Sequence, residues 1–341
     1  MSDPESNRPT MKDVAREVGC DASTVSLALR GSPRISEVTR ERVVAVAKDL
    51  GYSIHPMISA WVSARRGGRS MEALLPLIYL TCHPAGFRWQ KFPHFVDVFE
   101  GAKTRAAMHG FSLTEIRYSD YAKNPRRLDQ VLTTRNVQGI IIGPAGRMHE
   151  VTGLDWSHYA MVTIGYGLAA PAVHRVTEDE YLVLRLAFES CLSRGYRRIG
   201  LAFLRKHNRE RRERWTGAFM CAQQSLVAPQ DRVPMYFKDG RSTREEAAPW
   251  LAEHRPEIVL TDFPEEWTDG PIPFVAFASP ATYPVAGVYE NSPEIGHSAT
   301  DLLVSMIMRN ERGLPQNRHT VLVEPVIREV TGEPDASVES S

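Results

Sequence analysis

The feature that most constrains the fold is a repeated alternation of short apolar runs with longer amphipathic segments between residues 74 and 330. The apolar runs lie at 75–80, 139–142, 161–165, 198–204, 257–260 and 273–277, and the amphipathic segments near 95–109, 179–194, 210–225 and 293–309. Buried strands followed by helices are typical of parallel sheets with helices on both faces. Because about 255 residues are more than one such sheet usually needs, we predict an α/β body with two doubly wound parallel sheets.

A shorter, helical segment precedes this body, and residues 64–70, which are small or charged, separate the two. The expected inward-facing residues are Met11, Val14, Ala15 and Val18 in a first helix, Ala22, Val25, Ala28 and Leu29 in a second, and Val43, Val46, Ala47 and Leu50 in a third. Gly19 can end the first helix, and Ser36 can cap the third. Two short helices with a tight turn and a third as support are typical of a helix-turn-helix. The alternative is a helical module for oligomerisation or protein binding.

The charge distribution favours a nucleic-acid partner for the helical segment alone. Lys plus Arg and Asp plus Glu number 41 each, so the whole chain has zero net charge. Residues 8–70 nevertheless hold 11 basic and 6 acidic side chains, whereas residues 71–341 hold 30 and 33. A basic surplus on one small domain is the usual electrostatic signature of a surface that binds phosphates.

Several other classes find no support in the sequence. The four cysteines are widely spaced and form no metal-ligand pattern, which favours a reduced, intracellular chain without a zinc site. The longest apolar stretch, near 74–82, is too short to cross a bilayer, and the first residues lack a secretory pattern. No phosphate-binding glycine loop or nucleophile elbow is present. We therefore expect a cytoplasmic protein that is not an enzyme, needs no cofactor or metal, and has no membrane partner.

Ordered motifs then identify a family. Residues 10–15 read Thr-Met-Lys-Asp-Val-Ala, 24–26 read Thr-Val-Ser, 36–43 read Ser-Glu-Val-Thr-Arg-Glu-Arg-Val, and 50–52 read Leu-Gly-Tyr. In the body, 195–200 read Gly-Tyr-Arg-Arg-Ile-Gly, 214–217 read Arg-Trp-Thr-Gly, and 288–296 read Val-Tyr-Glu-Asn-Ser-Pro-Glu-Ile-Gly, with Ala299 three residues on. In this order the chain resembles the LacI/GalR family of transcription regulators over about residues 9–328.

The resemblance implies a domain layout. It places a helix-turn-helix DNA-binding domain at 9–56, a hinge helix and linker at 57–73, and a ligand-binding and dimerisation body at 74–330. The body is similar to periplasmic sugar-binding proteins and has two lobes, which we expect at 74–165 plus 289–315 and at 166–288 plus 316–330. We expect the polar, acidic tail at 331–341 to be disordered.

The resemblance also implies a DNA-reading surface on the second helix. It assigns base reading to Ala22, Ser23 and Leu27, and contacts nearer the phosphates to Thr10, Thr24, Ser26 and Arg30. Arg is the common residue where this chain has Leu27, so we expect fewer hydrogen bonds to bases than usual. Trp61 stands where the family inserts a Leu into the minor groove. The alternative is that Met57, Ile58 and Trp61 pack the two hinges of a dimer together.

In the body, effector contacts are expected after the carboxyl ends of the strands, in the cleft between the lobes. The candidates are Thr81, His83, Phe95, Arg214, Arg241 and Asp262. Arg214 matches the Arg-x-x-Gly spacing of the family's effector-contacting arginine, although it also closes a run of charges that is typical of a solvated helix face. Ala278 stands where the family often has an Asp that binds an effector hydroxyl. Trp89 and Phe92 either stack on a sugar or pack locally.

Together these features predict a homodimeric, ligand-responsive regulator of transcription, with repression favoured over activation. Its expected partners are a double-stranded, pseudo-palindromic DNA operator and a sugar-like small molecule in the cleft. The alternative from another class is a solute-binding module whose head serves dimerisation and whose DNA binding is weak or lost.

Overall fold

The computed structural model describes residues 11–29, 35–50, 75–145, 149–238, 245–268, 270–279 and 285–328. Contacts between residues divide the chain into two compact units with the boundary between residues 74 and 75. Thr10, Arg30, Trp61 and Arg241 lie outside the described residues, as do the predicted hinge and the tail at 331–341.

The first unit contains three helices: α1 (Met11–Val18), α2 (Ala22–Leu29) and α3 (Glu37–Asp49). Its buried residues are Val14, Ala15, Val18, Val25, Ala28, Val43 and Ala47. Gly19 ends α1 with a φ of 75°, and Ser36 Oγ accepts a hydrogen bond from the Thr39 N–H at 3.2 Å. The predicted stripes therefore contribute to one small core, with Ala22 and Val46 packed partly against it and Leu50 36% exposed. The side chains of Met11 and Leu29 lie outside the described part of the chain.

The second unit is built on two large sheets. The first sheet has the order β13-β7-β5-β3-β1-β2, and all its pairings are parallel. Its strands are β1 (Leu75–Thr81), β2 (Phe111–Arg117), β3 (Gly139–Ile142), β5 (Ala160–Ile164), β7 (His174–Glu178) and β13 (Thr320–Val323). A short pair, β4 (His149–Glu150) with β6 (Leu168–Ala170), lies apart from this sheet.

The second sheet has the order β14-β12-β11-β10-β8-β9, with β14 antiparallel to β12 and the other pairs parallel. Its strands are β8 (Ile199–Leu204), β9 (Tyr236–Lys238), β10 (Ile258–Thr261), β11 (Phe274–Ser279), β12 (Gly287–Tyr289) and β14 (Val326–Arg328).

Helices cover both faces of each sheet, as the doubly wound prediction requires. They are α4 (Pro93–Met108), α5 (Pro125–Thr134) and α10 (Ser292–Met308) on the first sheet, and α6 (Glu180–Ser193), α7 (Arg205–Glu210), α8 (Arg214–Leu226) and α9 (Ala248–His254) with the second. Leu128 and Leu132 of α5 pack on one face of the first sheet, and Leu303 of α10 lies against Gly139 on the other. The predicted α/β fold class is confirmed.

The lobe boundaries that we predicted need correction. Because β7 belongs to the first sheet and α6 packs on the second, the chain first crosses between lobes at residue 179, not 166. The third crossing lies at 324–325, between β13 and β14, not at 316. Both errors come from strands at the edge of the predicted pattern: β7 reads His-Arg-Val-Thr-Glu and does not look like a buried strand. The second crossing follows Tyr289, one residue from the expected position.

Candidate functional site

The two lobes contact each other through side chains that follow the ends of their strands. Tyr166 follows β5 of the first lobe, and the guanidinium carbon of Arg214, at the start of α8 in the second, lies 4.5 Å from the centre of the Tyr166 ring. We call the region around this contact the cleft. It extends to His94 of the first lobe and to His207 and Arg211 of the second, whose charges act on the His94 ring.

Two glycines fix the position of Tyr166. Gly165 has a φ of 72° and donates its N–H to the carbonyl of Val176 at 2.9 Å. A Cβ on Gly167 would lie 1.8 Å from the carbonyl oxygen of Ala145. Neither position accepts a larger residue without strain or movement of the backbone. The Tyr166 ring is therefore held in one place and is only 5% exposed.

Arg214 is presented by an unusual turn. Arg212 and Glu213, which separate α7 from α8, both adopt left-handed backbone conformations, with φ values of 55° and 61°. Two successive residues in this conformation are strained, and the strain persists only where the surrounding structure enforces it. Such strain is found most often at binding sites. The turn carries Arg212 to 5.9 Å from the Tyr166 ring centre, beside Arg214.

The first-lobe end of the cleft is aromatic. The ring of His83 lies 4.5 Å from that of Phe87 and 5.2 Å from that of Phe95, measured between centroids. Burial among these rings, followed by the charge of His149, lowers the pKa of His83 to about 4, so its ring is neutral at neutral pH. Phe92 stacks on Phe87 at 5.2 Å and remains 41% exposed.

Thr81 and Trp89 lie beside this group and bond to one carboxylate. Thr81 Oγ1 and Trp89 Nε1 both donate to Glu115 Oε1, at 3.1 and 2.7 Å. Trp89 is buried, so local packing accounts for it, whereas the exposed ring of Phe92 stays available for stacking. A cavity of about 60 Å³ opens here, lined by Thr81, His83 and Phe87 among others.

Asp262 follows β10, and its side chain is buried in the second lobe. Its Oδ2 lies 2.6 Å from His207 Nδ1, and its Oδ1 accepts the Leu204 N–H at 3.3 Å. His207 in turn acts on His94, whose ring centre is 4.0 Å from that of Phe95. His94 thus packs at the aromatic end of the first lobe, where the charges of Glu290, Arg211 and His207 act on it.

A buried ionic group lies at the crossings between lobes. Arg211 places Nε 2.9 Å from Glu180 Oε1 and Nη2 3.0 Å from Glu290 Oε1. Trp215 Nε1 donates to Glu180 Oε2 at 2.7 Å. Burial raises the pKa of Glu180 to about 7, against the opposing effect of Arg211. Burial, with repulsion from Glu290 and Glu180, also raises the pKa of Glu178 close by.

The predicted effector residues thus fall into two sets. Thr81, His83 and Phe95 share the end of the first lobe, and Arg214 and Asp262 belong to the second. Sequence reasoning missed His94, Tyr166 and Arg175. The pair of glycines around Tyr166 was the available signal, because a residue between two glycines after a strand marks a tight turn.

In the head, α2 presents a mixed surface. Val25 and Ala28 are buried, Ser23 is exposed, and Thr24 and Leu27 are partly exposed. Ala22 packs partly against the core of the head. Of the residues expected to contact DNA, Ser23 is therefore the most accessible and Ala22 lies partly against the core, and the side chain of Ser26 lies outside the described part of the chain.

Comparisons with known proteins agree across both units. The family model for lacI-family bacterial regulatory proteins matches residues 10–54. The model for periplasmic binding proteins and the sugar-binding domain of the LacI family matches residues 87–263, just over half of the chain.

Curated relatives are regulators of transcription. The chain is 27% identical over 193 residues to the regulator PtxS of Pseudomonas plecoglossicida, covering 56% of this chain and 53% of the relative. It is 26% identical over 133 residues to the repressor CytR of Escherichia coli K12, covering 39% and 35%. It is 27% identical over 241 residues to the ribose operon repressor of Bacillus subtilis, covering 70% and 68%. The chain thus spans about half or less of the length of the first two.

Solved structures show the same fold. The complex of the regulator CelR with cellobiose superposes with a TM-score of 0.51 at 19% identity, over 94% of this chain and 99% of that one. The lac repressor bound to ONPG gives 0.53 at 16%, over 95% and 99%. The lac repressor dimer bound to operator gives 0.50 at 14%, over 95% and 98%.

In the described part of the chain, no helix has the length and apolar character needed to cross a membrane. The helix-turn-helix match and the sugar-binding-domain match describe a DNA-binding regulator of transcription and not an enzyme. The chain belongs to the LacI family of bacterial regulatory proteins.

Proposed function

We propose that the chain is a homodimeric repressor that acts on cytoplasmic DNA and binds a pseudo-palindromic operator with an affinity set by a sugar-like molecule in the cleft. The observation that carries this proposal is the contact of Arg214 with Tyr166, 4.5 Å apart across the two lobes. A molecule that binds among these side chains contacts both lobes and therefore favours one arrangement of them over the other.

The DNA-contacting residues in this proposal lie on α2. Ser23 and Thr24 supply hydroxyls to bases or phosphates, Ser26 lies one turn further, and Leu27 can contact only the methyl group of a thymine. Ala22 stands at the start of the helix, where its small side chain allows close approach. Thr10, Arg30 and Trp61 complete the proposed interface from segments outside the described residues.

Dimer formation has two supports. The first is symmetry: one helix-turn-helix reads a half-site, and a two-fold symmetric dimer reads a palindrome. In agreement with it, the lac repressor, which shares this fold, has been solved as a dimer bound to operator. The second is an exposed apolar surface. Five large apolar side chains near the end of the body are more than a third exposed: Leu314, Val321, Leu322, Val326 and Ile327. Exposed apolar side chains in such number are typical of surfaces that another protein covers.

The effector contacts in this proposal combine both sets of residues. His83 and Phe95 offer flat rings to the apolar face of a sugar, and Arg214 offers a fork of donors to its oxygens. Thr81 and Asp262 stand behind them and hold Glu115 and His207 in place. Arg241 follows a strand of the second lobe and is proposed to contribute from outside the described residues. Coupling of about 1–3 kcal/mol between cleft and operator is enough for regulation.

The test is recovery of genomic DNA fragments by the purified full-length protein, followed by sequencing, with and without pooled sugars and sugar acids. We expect a few palindromic sites, whose recovery changes with one of the pools. Ser23→Glu on α2 should abolish recovery, whereas Ala45→Glu, which adds the same charge at an exposed position of α3, should keep it. Recovery of diffuse DNA, equal in both variants, would refute operator-specific binding. The alternative of a solute-binding module would then be favoured.

A further inference from the structure

Three arginines from both lobes gather around Tyr166, and a fourth lies beside one of them. The guanidinium carbons of Arg175, Arg212 and Arg214 lie 4.6, 5.9 and 4.5 Å from the centre of its ring. Arg318, just before β13, has no measured contact with the ring, but it precedes His319, whose carbonyl accepts the Arg175 N–H at 3.0 Å, and its charge acts on Arg175. We call these four residues the arginine cluster.

The cluster has no counter-charge in the described part of the chain. There, none of its four side chains forms a salt bridge or a side-chain hydrogen bond. Elsewhere in the body, in contrast, Arg105 holds Asp301 with two bonds of 2.7 Å, and Arg211 holds Glu180 and Glu290. Positive charge is therefore concentrated at one place in the cleft, and no acidic side chain among the described residues compensates it.

Arg175 is the buried member of the cluster. Its side chain is only 2% exposed, and its Nε has no hydrogen-bond partner among the described residues. Burial, with the charges of Arg318, Arg212 and Arg214, lowers the pKa of Arg175 to about 10, so it remains charged at neutral pH. A buried, unpaired cation is costly, and the face of an aromatic ring compensates only part of that cost.

We propose that the arginine cluster binds the anionic group of the effector, a carboxylate or a phosphate, so that the cleft selects an acidic sugar derivative over a neutral sugar. The guanidinium fork matches both oxyanions and forms short, charge-assisted bonds with them. Such a group removes the mutual repulsion of the four arginines and satisfies the buried Nε of Arg175. The inference rests on the proposed function only for the statement that this ligand is the effector.

The geometry also gives the anion a role in regulation. Arg175 and Arg318 belong to the first lobe, and Arg212 and Arg214 belong to the second. Without an anion, the four like charges oppose the approach of the lobes. With an anion between them, the same charges hold the lobes together. The anionic group is therefore what distinguishes the two arrangements energetically.

The experiment uses inorganic phosphate and acetate as probes, each titrated calorimetrically into the full-length protein against chloride at equal ionic strength. We expect saturable binding of at least one probe. Arg214→Gln and Arg318→Gln, both at exposed positions, should each weaken it about ten-fold or more, because a charge-assisted hydrogen bond is lost. Arg126→Gln, an exposed arginine of α5, should leave it unchanged. Circular dichroism checks that each variant is folded.

Absence of saturable binding for both probes, or equal affinity in the cluster variants and in Arg126→Gln, would overturn the anion site. A preference for phosphate or for acetate decides between a sugar phosphate and a sugar acid, and titrations with glucose, gluconate and glucose 6-phosphate extend that comparison. Operator affinity is measured separately on the same samples. Saturable phosphate binding without any response of operator affinity would refute the proposed regulation and leave the anion site standing.

Discussion

Leu27 is the proposed base-contacting residue of the head whose side chain cannot form a hydrogen bond. Its side chain is partly exposed on α2, one turn from Ser23. A leucine has no donor or acceptor, so it cannot distinguish guanine from adenine by hydrogen bonding, whereas an arginine can hold guanine with two bonds.

We predict that Leu27→Arg creates a preference for guanine at one operator position. The binding free energy for guanine there should become more favourable than that for the other bases by about 1–3 kcal/mol. The measurement is affinity for a panel of operators with a single substituted base pair, made with the wild type and the variant. The variant should gain affinity on one set of sequences and not on all of them. An equal gain on every sequence would mean that residue 27 faces the phosphate backbone.

Glu180 ties the stability of the second lobe to pH. Its ordinary pKa is 4.5, and burial raises the pKa in the folded chain to about 7, with Arg211, Glu290 and Glu178 as its titratable neighbours. Between these two values the folded chain binds more protons than the unfolded chain. Stability from this group is thus complete below pH 4.5 and is lost as the pH rises towards 7.

We predict that Glu180→Gln, which resembles the protonated acid, reduces this loss. Between pH 5 and 7 the free energy of unfolding of the wild type should decrease more steeply with pH than that of the variant. The two slopes should differ by up to about 1.4 kcal/mol per pH unit. Glu178 retains its own part of the dependence. Urea unfolding at several pH values measures it, and Glu253→Gln, an exposed carboxylate, should behave as the wild type. Parallel curves for all three proteins would contradict the assignment.

At the scale of elements, two helices of the first lobe pack backbone to backbone. A Cβ on Gly296 of α10 would lie 2.1 Å from the carbonyl oxygen of Val98 and 2.6 Å from the N of Ala102, both in α4. Gly101 of α4 is as closely opposed by Pro293. Thr300 of α10 donates to the carbonyl of Ala102 at 3.1 Å, which this close approach permits.

We predict that Gly296→Ala lowers the free energy of unfolding by about 1–3 kcal/mol, because the helices must separate. Gly217→Ala provides the matched control in another helix, α8, where nothing lies within 4 Å of the added Cβ. There the same substitution should stabilise by about 0.4–1 kcal/mol, since alanine restricts the unfolded chain. Chemical unfolding followed by tryptophan fluorescence compares the two. The opposite signs make this pair decisive, and stabilisation by both would exclude the close packing.

The elements that sequence analysis predicted well are those whose residues are uniformly apolar. Strands β1, β3 and β8 read as continuous apolar runs because both of their faces are covered by helices. Strand β7 was missed because it carries Arg175 and Glu178 into the interior. Those two residues belong to the arginine cluster and to the ionic group at the crossings, so the local pattern fails where the fold buries charged side chains.

The candidate site, like the fold, was predictable only where a local motif marks it. Arg214 followed from its spacing to Gly217 and does lie at the contact between the lobes. Tyr166, Arg175 and Arg318 come from three separate segments, and only the sheet order β13-β7-β5 brings them together. Proximity of this kind depends on tertiary structure, which a single sequence does not encode in any local pattern.

At the scale of the whole molecule, positive charge occurs in two places, the head and the arginine cluster of the body. The net charge is zero, but residues 8–70 carry the basic surplus, whereas the body brings four of its arginines together in the arginine cluster. A head that binds DNA displaces many counterions from the phosphate backbone. In the arginine cluster the charge of Arg175 is buried, and a buried charge is screened much less by salt than an exposed one.

We therefore predict that operator affinity falls about a thousand-fold or more between about 50 and 200 mM salt, as for proteins with six or more phosphate contacts. Over the same range, affinity for inorganic phosphate at the arginine cluster should fall by less than about ten-fold. Fluorescence anisotropy of labelled operator and calorimetric titration of phosphate measure the two on one preparation. Parallel losses would mean that salt screens the arginine cluster as strongly as it screens the DNA-binding surface, which would contradict an anion site built on the buried Arg175. Different losses mean that a salt concentration exists at which the head has released DNA while the cleft still holds its anion, and binding to the body can then be measured alone in the full-length protein.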